Sequence, residues 1–118
     1  EFLISNNGIE LKKSNSHQIN IDRILDNNSF STIEGWAVDN NTNSRIEFLY
    51  LFKGTCFLAS TSTEISRPGV VKAFPRLNTS DPGFLIYFNE SECNTERNDT
   101  LRLISIDSHN KYSVINVN

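Results

Sequence analysis

Two histidines (His17 and His109), two cysteines (Cys56 and Cys93) and a run of carboxylates (Glu90, Glu92, Glu96 and Asp99) are the side chains here whose chemistry goes beyond packing. A hydrolytic site needs a nucleophile with a base in reach, or two carboxylates set across a cleft. Both histidines stand in polar, turn-like surroundings, and neither is near a serine framed by the glycines of a nucleophile elbow. Cys56 and His109 would make a thiol dyad only if folding brought them together. Cys56 lies between Thr55 and Phe57 in a run that reads as a buried strand, so a structural role is expected for it. The carboxylate run offers oxygen ligands, but it lacks the glycine on which a calcium loop bends, and Arg97 intrudes. The five glycines are dispersed and form no phosphate-cradling loop. No catalytic residue, metal ligand or cofactor is expected.

Two cysteines are too few for a structural zinc site. They form either a disulfide or two small buried thiols. A bridge would close a loop of 37 residues and stabilise the fold by about 4 kcal/mol on the chain-entropy model. It would also imply an oxidising compartment, such as a periplasm or cell surface.

The net charge of -3 argues against a nucleic-acid partner, because phosphate backbones are held by clustered Lys and Arg. Here the basic residues are scattered, and Lys12-Lys13 is the one adjacent pair. No stretch approaches the roughly 18 apolar residues of a membrane span. No basic segment followed by an apolar run opens the sequence, so no leader peptide is expected in it. The 118 residues fit a single domain, read as one part of a longer protein. Asn-X-Ser/Thr triplets begin at Asn27, Asn40, Asn78, Asn89 and Asn98, and they mark surface loops if the chain is secreted by a eukaryote.

The elements that must position these residues follow a period of two. Ile46, Phe48, Tyr50 and Phe52 alternate with Arg45, Glu47, Leu49 and Leu51, which predicts a strand with a strongly apolar face and a mixed one. Lys53-Gly54 turns the chain, and Cys56 to Ala59 returns it as a hairpin. A second hairpin runs from Leu101 to Ile106, turns through Asp107 to Lys111, and returns through Tyr112, Val114 and Ile115. Phe84–Phe88 and Phe30–Val38 read as further strands, and Phe2–Ile4, Ile9–Leu11 and Ile19–Ile21 as weaker ones. Single helical turns are expected at Asp22–Leu25 and Pro68–Phe74, the second capped by Ser66. The predicted fold is all-β: a two-sheet antiparallel sandwich, Ig-like or jelly-roll-like, of about seven to nine strands.

Five pieces occur in order: Gly35-Trp36-Ala37-Val38-Asp39, a hairpin, Arg67-Pro68-Gly69-Val70, Phe74-Pro75, and Gly83-Phe84. This succession resembles a small β-sandwich module attached to bacterial glycosyltransferases, acyltransferases and other cell-envelope polysaccharide proteins. The resemblance covers Ile33 to Phe88. Such modules usually carry an acid where this chain has Gly69, so a cap worth about 1 kcal/mol is expected to be missing here. The resemblance supplies no catalytic residue and implies a non-catalytic accessory domain whose partners are other domains of its parent protein.

Read from the residues themselves, the same pieces make a fold. Trp36 is expected in the core or between the sheets, and Gly35 at a close backbone approach or a bulge. Asp39 reads as a turn former. Arg67, held extended by Pro68, should pair with Asp39 or Glu64. Gly83 after Pro82 suggests the positive φ of a type II turn, aiming Phe84 inward. Two other functions fit this architecture. A carbohydrate-binding module would stack sugars on Tyr50, Phe57, Tyr87 or Tyr112, and the test is whether two or more of these share an exposed face. An adhesin or receptor-type recognition domain is the third reading.

Overall fold

The computed structural model describes residues 3–4, 8, 10–27, 29–93 and 99–117. Phe2, Ile9, Glu96, Arg97 and Asn98, the first residue of its triplet, lie outside them. Among the described residues there are ten strands: β1 (Leu3–Ile4), β2 (Glu10–Lys13), β3 (His17–Asp26), β4 (Ser31–Asp39), β5 (Ser44–Arg45), β6 (Phe48–Lys53), β7 (Cys56–Thr61), β8 (Gly83–Phe88), β9 (Leu101–Ile106) and β10 (Lys111–Asn116). One helix, α1 (Pro68–Ala73), and one 3-10 turn, Glu90–Glu92, complete the list. Two of the strands, β1 and β5, are only two residues long, so the eight longer ones fall within the expected number.

The strands form two sheets. One has the order β1-β2-β10-β9-β6-β7; in the other, β4 is flanked by β3 on one side and by β5 and β8 on the other. Every pairing is antiparallel except β2 beside β10. The sheets pack face to face, Ile33, Ala37, Phe84, Ile86 and Phe88 of the smaller one meeting Leu49, Leu51, Leu58, Leu101 and Leu103 of the larger. The chain is therefore an all-β, two-sheet sandwich with an aliphatic core capped by phenylalanines. Among the described residues no helix is long and apolar enough to cross a membrane.

Both expected hairpins form. Lys53 pairs with Cys56 across the loop Gly54-Thr55, and Gly54 takes φ 59°, the left-handed backbone that such tight turns require. In the β9–β10 turn, Asn110 adopts φ 60° while one Asp107 carboxylate oxygen accepts the backbone amides of His109 and Lys111 at 2.8 and 3.1 Å.

The strongly apolar face of β6 is its outer one. Leu49 and Leu51 are fully buried in the core, while Phe48, Tyr50 and Phe52 point outward; Ile46 is buried, but ahead of the strand. Both faces of the strand are apolar, so alternation alone does not orient it. Register does: Phe52 lies opposite Arg102 and Leu51 opposite Leu103, and directly paired residues share a face. Keeping Arg102 in solvent puts the aromatic row outside.

Asp22–Leu25 is strand, not a helical turn, because β3 continues through a bulge between Ile21 and Arg23. The Pro68 helix forms as expected, with Pro68 at its tolerated first position. Its N-cap is Arg67, no side chain caps it, and no acid stands in its first turn. Ser66 thus does not serve as the cap.

Candidate functional site

The residues of the "GWAVD" and "SRPG" stretches hold the smaller sheet together. A Cβ on Gly35 would strike the carbonyl of Asn20 on β3, so β3 and β4 approach there as only glycine permits. The bulge next to this contact turns Asp22 outward to Arg67, whose Nη1 lies 2.6 Å from its carboxylate and 3.4 Å from the Gly35 carbonyl. Arg67 thus pairs with Asp22 rather than with Asp39 or Glu64. The bulge that selects Asp22 is invisible to a count of strand residues. Trp36 is not between the sheets. Alternation from Ile33 and Ala37 places it on the outer face, half-buried, with its ring 5.5 Å from that of Phe74 at the end of α1. Gly83 has no positive φ. It is an extended residue bridged to Ile65, whose carbonyl oxygen would lie 2.8 Å from any Cβ there, while Phe84 turns inward and is buried.

Asp39 does more than turn the chain. Buried at the end of β4, its carboxylate accepts hydrogen bonds from the Ser16 hydroxyl (2.6 Å), the Asn41 amide (3.0 Å) and the Thr42 hydroxyl (3.0 Å). Burial works to raise its pKa. The bonds from Ser16, Asn41 and Thr42, with the nearby His17, outweigh burial and hold the group below its ordinary value.

Beside it lies a buried centre around His17, a residue whose polar, turn-like sequence surroundings give no hint of burial. His17 opens β3, and its side chain is fully enclosed. Its Nδ1 is 2.7 Å from the Ser105 hydroxyl of β9, and its Nε2 is 2.9 Å from Asp107. One histidine thus joins the smaller sheet to the larger. The signal lies in strand parity instead, since His17, Ile19 and Ile21 share the parity of an inward face, and both isoleucines pack on the core. The constellation has the members of a hydroxyl–imidazole–carboxylate triad. Ser105 is fully buried and Asp107 nearly so, and no acyl group reaches the hydroxyl. Donor atoms of His17, Asp39 and Asp107 also lie within 4.8 Å of one another, but protein hydrogen bonds already occupy them. A buried polar network satisfied in this way specifies how two layers meet.

Cys56 and Cys93 form a disulfide with Cα atoms 5.9 Å apart. It fastens the end of the Glu90–Glu92 turn to β7.

The aromatic residues considered for stacking separate into three places. Tyr50 and Phe57 share the outer face of the larger sheet, their centroids 6.3 Å apart and rings inclined by 54°. Phe48 (6.2 Å from Tyr50) and Phe52 (5.7 Å from Phe57) extend the row. Phe48 is 47% exposed and Phe57 52%. In register with them, on β9 and β10, stand Ile104, Ile106 and the exposed Val114. Tyr87 lies on the outer face of the other sheet, 61% exposed, with its ring 5.8 Å from Phe30. Tyr112 is not available for stacking. Only 3% of the residue is exposed, so its ring offers no face to a ligand.

Comparison with known proteins adds no identification: no family model, no curated protein and no solved structure matches this chain.

Proposed function

We propose that this chain is a non-catalytic interaction domain that docks through the outer face of its larger sheet, serving as an accessory module of a longer cell-envelope protein concerned with surface polysaccharide. The observation that carries the proposal is the outward-facing row Phe48, Tyr50, Phe52 and Phe57, in which Phe48 and Phe57 are exposed and Tyr50 and Phe52 partly buried. A solvent-facing strand face is ordinarily polar, and continuous apolar area of this kind marks interaction sites. Aromatic residues are also the side chains enriched at the centres of protein interfaces. The rings are inclined to one another by 36 to 68°. They make a corrugated surface, suited to interdigitating side chains, and not the level platform on which a sugar chain would lie.

The disulfide supports an oxidising location, at a periplasm or cell surface. Docking predicts that Phe48→Ser with Phe57→Ser leaves the melting temperature near that of the unaltered chain, since both rings are about half exposed. The same double change should abolish stoichiometric co-isolation of a defined partner, or of the remainder of its own polypeptide, from the producing cells. Co-isolation unaffected by the change would remove this face from the function.

A further inference from the structure

Where the free edge of β8 runs beside β7, Ser29, Phe30, Leu58, Tyr87, Phe88, Asn89 and Glu92 surround a trough of about 280 Å³. Nothing in the docking reading uses it. We infer that this trough is a binding site for a neutral pyranose sugar, with Tyr87 as the stacking ring and Asn89 and Glu92 reading hydroxyls.

The size is just below the roughly 300–1,000 Å³ typical of ligand pockets, which suits one sugar ring better than a chain. A pyranose has a weakly polar C–H face and a rim of hydroxyls, each both donor and acceptor. The trough offers the complement of each. Tyr87 and Phe30 meet at 53° and supply apolar surface, with Leu58 and Phe88 also lining the trough.

The polar groups have the right mixture. The Asn89 side-chain oxygen is already taken by the Ser91 amide and hydroxyl, at 3.0 and 2.8 Å, so its Nδ2 hydrogens remain to donate. The Glu92 carboxylate accepts, and among the described residues it has no ion pair, whereas its neighbour Glu90 is matched by Lys53 at 3.5 Å. A donor amide beside an acceptor carboxylate reads a hydroxyl, or two neighbouring ones, directly. Asn89 is held in place beforehand as the cap of the 3-10 turn, and Glu92 closes that turn next to the bridged Cys93. Less is therefore lost in ordering Asn89 on binding. A carboxylate at this position also rejects uronic acids and other anionic sugars by like-charge repulsion.

The test is an NMR titration of the isotopically labelled, unglycosylated chain. Its probes are the methyl glycosides of glucose, galactose, mannose and N-acetylglucosamine, with methyl glucuronide as the anionic comparison. The expected result is saturable shifts at Phe30, Tyr87, Asn89 and Glu92 with at least one neutral glycoside and none with the glucuronide. Tyr87→Ala should weaken binding about tenfold or more while the chain stays folded, and Phe57→Ala should leave binding unchanged. Glu92→Gln should narrow the discrimination against the glucuronide. Three results would overturn the inference: no saturable shift with any of the four neutral glycosides, shifts confined to the Phe48–Phe57 face, or binding that survives Tyr87→Ala.

Discussion

Asp107 meets His17 at 2.9 Å across the interior of the sandwich, and the same carboxylate shapes the β9–β10 turn by accepting two backbone amides. Turn and sheet-to-sheet contact are thus one structure. Removing the imidazole leaves a buried carboxylate and a buried hydroxyl without their shared partner. His17→Ala should therefore destabilise the fold by about 2–4 kcal/mol, read as a lower urea midpoint at an unchanged slope. His17→Ala and Asp107→Asn combined should cost measurably less than the two single changes added, because each already breaks the same link.

Asp39 predicts an acid limit to stability. Its pKa is lower in the folded chain than the ordinary 3.8, so the unfolded chain takes up the proton more readily. The stabilisation from the ionised carboxylate is complete above about pH 5 and is lost progressively as pH falls past 3.8 and through the folded value. Urea midpoints measured between neutral pH and pH 2 should fall in that lower range, and Asp39→Asn should flatten the fall while lowering the neutral-pH value.

Two glycines should respond in opposite ways. At Gly35 a methyl group would collide with backbone of the neighbouring strand, so Gly35→Ala should cost about 3 kcal/mol or more, or prevent folding. Around Gly69 nothing lies within 4 Å and its φ is not positive, so Gly69→Ala should add about 0.5–1 kcal/mol. Gly69→Asp should do at least as well, supplying the negative charge that the first turn of α1 lacks.

The bridge between Cys56 and Cys93 spans 37 residues. Replacing both cysteines by alanine should lower stability by about 4 kcal/mol, with loop-closure entropy as the model. Thermal denaturation with and without reductant checks this, and the double variant should lose its sensitivity to reductant.

How far these features could be read from the sequence depends on what a linear pattern encodes. Hairpin turns are local, and Lys53-Gly54 and Asp107–Lys111 were both legible. The Pro68 turn was legible for the same reason. The bulge at Asp22 was not, because an extra residue shows only against its partner strand, and the Arg67–Asp22 pair went unseen with it. Strand β6 was recognised but not oriented, since Leu49, Leu51, Phe48, Tyr50 and Phe52 are apolar on both sides and only Arg102 opposite Phe52 decides the matter. Trp36 was placed in the core by its type, whereas it packs on the outer face beneath Phe74. The His17 centre draws on residues 88 and 90 positions apart in the chain. The trough likewise depends on Phe30 meeting Tyr87 across two strands.

The central claim is that the aromatic face of the larger sheet is where this domain meets its partner. The most direct measurement replaces Phe57 by a photo-crosslinking benzophenone amino acid in the cells that make the protein, with the same group at Ile24, exposed on the other sheet, as the comparison. The account predicts a single light-dependent protein adduct from position 57, absent from position 24 and lost when Phe48 is also changed to Ser. No protein adduct at position 57, or equal adducts from both positions, would contradict it.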